Sequence, residues 1–310
     1  MTEAKIYQLA YTPVEGGRPP LLFAARADGL YRSDDDGRTW ADALEPLNLP
    51  ERPPVVSLAV SPSFSQDRTL FAGLPGGMIR STDGGRTWKI LAFPPPQPFI
   101  TALVLSPTFL EDGLAIAGTA EDGILRSVNG GDDWSFWNFG LIDLEVVCLA
   151  VSPDFARDET LFAGTSSGVF RSVNGGRAWR EVDLPAGQVP VLSLAVSPNF
   201  ARDRTVYAGT EEAGLYRSTD GGEGWTRLGE MRLKDPINTL LVSADGLRVV
   251  IQHGDELLAS ADAGESWRAV RPLGRAGPGI AALLAPQGVE PGAPLVLGLA
   301  DGQILRTEIK

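Results

Sequence analysis

The sequence predicts an all-β fold: a seven-bladed β-propeller of four-stranded antiparallel blades, with a last blade of three strands. Three observations carry that expectation. A nine-residue stretch, RSTDGGRTW at residues 80–88, occurs in six variants ending at Trp40, Trp88, Trp134, Trp179, Trp225 and Trp267. The copies lie 48, 46, 45, 46 and 42 residues apart, and a period of about 40–50 residues signals a repeat array. Around each copy lie short runs rich in β-branched and aromatic residues, bounded by Gly, Pro, Asp and Asn, which read as strands.

Each repeat aligns element by element. The inner strand reads VVSLAVSP (55–62), VVCLAVSP (146–153) and VLSLAVSP (191–198). Inner strands are expected to begin near Ile6, Val55, Ile100, Val146, Val191, Ile237 and Ile280. The second strand reads TLFAG (69–73), TLFAGT (160–165) and TVYAGT (205–210). GMIRS, GILRS, GVFRS and GLYRS give the third, and the run after each Trp, such as WKILAF (88–93), gives the fourth. Four strands without an intervening helix make a propeller blade. The blades fall at about 1–50, 51–95, 96–141, 142–186, 187–232, 233–274 and 275–310 of one domain. Too few residues precede Ile6 to supply an outer strand, so blade seven should have three. Arg306, Glu308 and Lys310 would then charge its open edge and discourage pairing with other edges.

Composition bounds the function. Of the 310 residues 43% are apolar, enough to bury a core, and the net charge is −12. That charge disfavours nucleic acid and anionic membranes, which need Lys and Arg. Cys148 is the single cysteine and His253 the single histidine, so neither an intrachain disulfide nor an ordinary zinc site is expected. No metal or other cofactor is expected. No apolar run is long enough to span a membrane, and the N-terminus lacks a signal-peptide pattern. A cytoplasmic monomer is the expectation, or an extracytoplasmic one if a leader has been trimmed.

The pattern Ser-x-Asp-x-Gly-x-Thr-Trp resembles the Asp-box, or BNR, repeat. Blade two matches completely with Ser81, Asp83, Gly85, Thr87 and Trp88, and blade one with Ser33, Asp35, Gly37, Thr39 and Trp40. Blade three has Asn129 and Trp134, blade four Asn174 and Trp179, blade five Asp220 and Trp225, and blade six Asp262 and Trp267. An Asp or Asn side chain can accept backbone N–H groups in its own turn, and Gly permits positive φ. Asn can replace Asp in that role more readily than as a metal ligand. SDDDG (33–37) suggests calcium only superficially, because the EF-hand spacing and its final Glu are missing. The motif is therefore expected to be structural, with each Trp buried between blades.

The resemblance covers nearly the whole chain and reaches three groups. Sialidases would need an arginine clamp and an Arg-Ile-Pro motif, which the sequence lacks, and usually have six blades. Xyloglucanase-type enzymes pair two propellers. Photosystem II assembly and stability factors resemble it most in pattern and imply a protein-binding scaffold with an arginine patch. The column Arg32, Arg80, Arg126, Arg171, Arg217 and Arg306, broken at Ala259, is expected to pair with acids of its own turn or the next blade.

Function should lie at the other end. The loops between second and third strands carry Asp28, Glu121, Asp122, Glu211, Glu212, Asp255, Glu256 and Asp301, with His253 beside Asp255. Such a ring could bind a cation, a basic partner or a sugar, or remain a set of solvated tips. The loops leading into the inner strands add Glu51, Asp143, Glu145 and Asp235. Glu145 with Asp235 is a weak candidate for a glycosidase acid pair. The inner-strand column Gln8, Ser57, Ala102, Cys148, Ser193, Thr239 and Ala282 contains no acid. Two stretches break the repeat, FPPPQPF (93–99) and WSFWNF (134–139), making Phe93, Phe99, Trp137 and Phe139 candidates for a partner patch. The expectation is a non-catalytic binding or assembly scaffold for a protein or carbohydrate. The alternative is a glycoside hydrolase.

Overall fold

The computed structural model describes residues 5–12, 20–229, 233–270 and 279–309; Lys310 of the expected charged edge lies outside them. Seven antiparallel sheets follow one another, six of four strands and the last of three, each with its strands in chain order. The inner strands are Ile6–Tyr11, Ser57–Val60, Ile100–Leu105, Val146–Val151, Val191–Val196, Ile237–Val242 and Ile280–Leu284. The first packs against the last and closes the ring. A Cβ on Gly298 would lie 2.8 Å from Ile6, so glycine is what lets blade one seat against blade seven.

The core lies between blades. Phe23, Phe71, Phe162 and Tyr207, at one position of the second strands of blades one, two, four and five, are fully buried, each large ring contributing about 2–3 kcal/mol. Phe71 of blade two meets Phe109 and Trp134 of blade three edge to face, both at 6.1 Å. Every repeat thus finishes its core on its neighbour, which is why one blade alone could not be stable.

The structure corrects one expectation. The repeats are not free of helix: single turns Phe64–Asp67, Phe109–Asp112, Phe155–Asp158 and Phe200–Asp203 join first to second strands in blades two to five. The SPxFxxD sequence builds them locally. Ser61 donates to Asp67 at 2.6 Å and accepts the Ser63 N–H at 3.1 Å, while Asp67 accepts the Thr69 N–H at 2.8 Å. Four residues are too few to display a 3.6-residue period.

Six inner strands also share a bulge after their first residue, leaving Tyr7, Thr101, Val147, Leu192, Asn238 and Ala281 unpaired. A bulge re-aims the strand, and here it delivers one side chain per blade to the central channel.

Candidate functional site

One face is built from the repeated turns. In blade two, Ser81 Oγ accepts the Gly85 N–H at 2.8 Å and donates to Asp83 Oδ1 at 2.8 Å. Asp83 Oδ1 also accepts the N–H groups of Arg86 (3.0 Å) and Thr87 (2.9 Å), and its Oδ2 accepts the Thr87 hydroxyl at 2.6 Å. Burial opposes the charge of Asp83, but the Thr87 hydroxyl and N–H outweigh it and hold the carboxyl at about 2. Asp35 sits at about 2 through the Thr39 N–H and hydroxyl, and Asp262 at about 2 through the hydroxyls of Ser266 and Ser260. Asn129 and Asn174 accept the N–H groups of Asp133 (3.0 Å) and Ala178 (2.9 Å) in the same way. In blade five, Asp220 accepts the N–H groups of Glu223 and Gly224 at 2.9 Å.

The turn also fixes one blade to the next. Gly85 has φ +79°, and a Cβ there would lie 2.6 Å from the Phe23 ring of blade one. Trp88, Trp179 and Trp225 are buried, whereas Trp40, Trp134 and Trp267 are only partly so.

The arginines of the third strands reach forward to the following blade's turn. Arg80 donates to the Gly130 carbonyl at 2.5 Å and Asp132 at 2.7 Å, and Arg126 donates to the Gly175 carbonyl at 2.8 Å. Arg171 meets Glu223 at 3.2 Å, and Arg217 meets the Ala263 carbonyl at 2.9 Å and Glu265 at 2.8 Å. Arg306 closes the circle on Asp36 of blade one at 2.5 Å. Arg32 instead pairs with Asp34 of its own turn at 2.8 Å.

At the opposite face the expected acidic ring is not a uniform set. Asp28 is held by Arg26 at 2.9 Å and accepts the Tyr31 hydroxyl at 3.3 Å. Glu121, Glu211, Glu212, Asp255, Glu256 and Asp301 are exposed, and Asp122 is partly buried. His253 is buried, its Nε2 accepting the Asp235 N–H at 3.0 Å, with Nδ1 3.8 Å from Asp235 Oδ2. Asp143 accepts the Ser167 N–H at 2.8 Å and the Ser166 hydroxyl at 3.0 Å, and its other oxygen accepts the Glu145 N–H at 3.1 Å. Burial opposes ionisation of Asp143, but these bonds prevail and lower its pKa. Glu145 and Asp235 are both exposed and lead into blades four and six, with blade five between them. Among the described residues, no cluster of three His, Cys, Asp or Glu side chains is placed to hold a metal ion.

The channel itself is neutral. A cavity of about 420 Å³ is lined by the bulged residues and by a leucine that recurs in every inner strand, with six of the seven (Leu9, Leu103, Leu149, Leu194, Leu240 and Leu283) in its wall. Among the described residues, none lining it is charged. The small inner-strand column also contributes to the wall, and its hydroxyls stitch blades together: Ser57 donates to the Ile100 carbonyl at 3.2 Å and Ser193 to that of Ile237 at 2.6 Å. Burial pushes the Cys148 thiol up to about 12, which leaves it protonated and unreactive at neutral pH. The recurring leucine stands in plain sight in the aligned repeats, at the residue after Ser57, but only strand direction shows that it faces the axis.

Blade three departs from the others. Phe139 is 80% exposed and Ile142 75% exposed, with Phe99 and Phe136 also exposed. Phe93 packs partly into the core between blades two and three, and Trp137 lies 5.4 Å from the Arg126 guanidinium.

The fold and these turns define a seven-bladed β-propeller whose last blade has three strands. No protein-family profile matches the sequence, and no curated protein sequence matches it. Solved structures share the fold. YCF48 bound to D1 peptide is 19% identical with a TM-score of 0.72, covering 100% of this chain and 94% of that one. YCF48 from Cyanidioschyzon merolae is 16% identical with a TM-score of 0.68, covering 99% and 96%. The GH74 xyloglucanase from Xanthomonas campestris is 16% identical with a TM-score of 0.76 and covers 99% of this chain, which spans 52% of that enzyme. Among the described residues, no helix is long and apolar enough to cross a membrane.

Proposed function

We propose that the protein is a binding or assembly scaffold that recognises a protein partner through blade three and the adjoining channel mouth. One observation carries this. Of the eleven large apolar side chains exposed among the described residues, five lie in the outer strand of blade three and the loops leading into blades three and four, namely Phe99, Phe136, Phe139, Ile142 and Leu144, while Leu110 and Val128 lie at the end of the repeated turns. A repeat that served only the fold would spread them evenly, and concentrated apolar exposure favours association. The likeness to a propeller solved with a bound peptide is consistent with a protein partner.

The competing reading is a glycoside hydrolase using Glu145 and Asp235, for which the likeness to the xyloglucanase speaks. That chemistry needs a carboxylic acid with a raised pKa. The carboxylates that do shift, among them Asp35, Asp83, Asp143 and Asp262, shift down.

The test is the double variant Phe139→Asp/Ile142→Asp. It should lose partners captured by the wild-type protein while Tm stays within about 2 °C, since exposed substitutions cost little stability. Undiminished capture would refute the patch. Turnover of aryl glycosides, lost on Glu145→Gln or Asp235→Asn, would establish the enzyme instead.

A further inference from the structure

Among the described residues, blade seven has an open edge where the complete blades have a fourth strand. Ile304–Glu308 pairs on its inner side with Pro294–Leu299, and no described strand pairs with the other side. Backbone hydrogen bonds settle which groups face outwards. The Gln303 carbonyl accepts the Leu299 N–H at 2.8 Å, and the Ile309 N–H donates to Ala293 at 3.2 Å. Inward- and outward-bonded residues alternate in an antiparallel strand, so Ile304, Arg306 and Glu308 present their N–H and C=O groups at the open edge. In blades one and three, the carbonyls equivalent to that of Ile304 belong to Leu30 and Ile124. They accept N–H groups of the fourth strand, from Ala43 at 2.8 Å and Trp137 at 2.9 Å.

Side-chain burial shows the same gap. The residues equivalent to Ile304 are Leu30, Met78, Ile124, Val169, Leu215 and Leu257, all exposed by 1% or less. Ile304 is only partly buried. The complete blades show what covers it. Leu91 lies opposite Met78, Val182 opposite Val169, Leu228 opposite Leu215 and Val270 opposite Leu257. Two residues before each aliphatic stand Lys89, Arg180, Thr226 and Arg268, so three of these four fourth strands read basic–x–aliphatic, and that is the template.

The geometry points to a docking site for an extended segment of a partner protein, added antiparallel to Ile304–Glu308 as the fourth strand of blade seven. The segment carries an aliphatic residue opposite Ile304 and a basic residue two positions before it. Main-chain bonds to an open edge give affinity, and alternate side chains give selectivity. The basic residue stands opposite Arg306, as Lys89 stands opposite Arg80 and Arg180 opposite Arg171 in the complete blades, and a basic segment complements a chain of net charge −12. A second copy is a poorer fit, because full antiparallel overlap of two such edges sets Glu308 opposite Ile304, where the complete blades place an aliphatic residue. The site lies three blades around the ring from the apolar patch of blade three and is independent of it.

The probe is a synthetic peptide of residues 86–93, RTWKILAF, the natural fourth strand of blade two. In the free protein, the amides of Ile304, Arg306 and Glu308 should exchange with solvent freely while those of Leu305 and Thr307 are protected. Saturating peptide should slow the first three at least about tenfold. N-methylation of the peptide at the positions of Lys89 and Leu91, which face the third strand, should weaken binding at least about tenfold without touching the protein. Ile304→Asp should abolish it, and Phe139→Asp/Ile142→Asp should leave it unchanged, which separates this site from the blade-three patch. The proposal is overturned if the three amides are already protected in the free protein. That result would mean the edge is covered by this chain itself or, where sedimentation shows a dimer, by a second copy. Binding indifferent to N-methylation would overturn it equally.

Discussion

Blades two and three close the same turn with opposite chemistry. In blade two the charged Asp83 receives a proton donor, the Thr87 hydroxyl, at 2.6 Å. In blade three the neutral Asn129 is the donor, its Nδ2 giving a bond of 2.9 Å to Asp133. The backbone is nonetheless alike: Ser81 and Ser127 accept the N–H groups of Gly85 and Gly131 at 2.8 and 3.0 Å, and those glycines have φ of +79° and +85°. The turn therefore depends on one side-chain oxygen and one left-handed glycine. The negative charge can move four residues along the chain without altering it.

The largest test strikes what the two turns share. A Cβ on Gly131 would lie 2.4 Å from the Phe71 ring, at a φ that also strains an L-residue. Gly131→Ala should cost about 3 kcal/mol in urea unfolding, and Gly130→Ala, with open space around it, only about 1 kcal/mol. Equal losses would mean that contact with the preceding blade matters less than backbone conformation.

The second test exchanges the chemistries. Asn129→Asp sets a carboxylate against Asp133 and should cost about 1 kcal/mol, discounted for solvent exposure. Adding Asp133→Thr copies blade two and should recover stability to within about 0.3 kcal/mol. Failure to recover in the double-mutant cycle would show that the two turns are not interchangeable.

The smallest effect is in pH dependence. Asp35, Asp83 and Asp262 are held at about 2, below the ordinary 3.8. Their folded pKa values are depressed, so their contribution is fully present above about pH 4 and is lost as pH falls toward 2. Thermal unfolding between pH 6 and 2 should show Tm falling through that window. Asp83→Asn should flatten the fall, and Asn174→Asp should steepen it slightly.

Much of this architecture was legible in the sequence because the turn carries a nine-residue signature whose spacing counts blades. The single-turn helices were not legible: they depend on Ser–Asp bonding over six residues, as between Ser61 and Asp67, and not on an apolar period. That the arginines pair with their own turn or the next blade was legible, but not which of the two each takes: Arg80 finds Asp132 of blade three, whereas Arg32 keeps Asp34 of its own turn. The candidate mouth was least legible. Composition cannot show that Asp28 is spent on Arg26, two residues away, or that Asp235 caps the buried His253 through its backbone.

The bond from Arg306 to Asp36 joins residues 270 positions apart, whereas Arg80–Asp132 and Arg217–Glu265 span 52 and 48. Neighbouring blades can dock as soon as each emerges during synthesis, but the last interface must wait for the whole ring. Closing a loop of that length costs only about 1.5 kcal/mol more than closing one of about fifty residues, because the cost grows with the logarithm of length. The delay is the greater burden. Through most of its synthesis the protein is an open arc, with Ile6 and Leu22 of blade one uncovered, and its exposure to misassembly ends only when blade seven arrives.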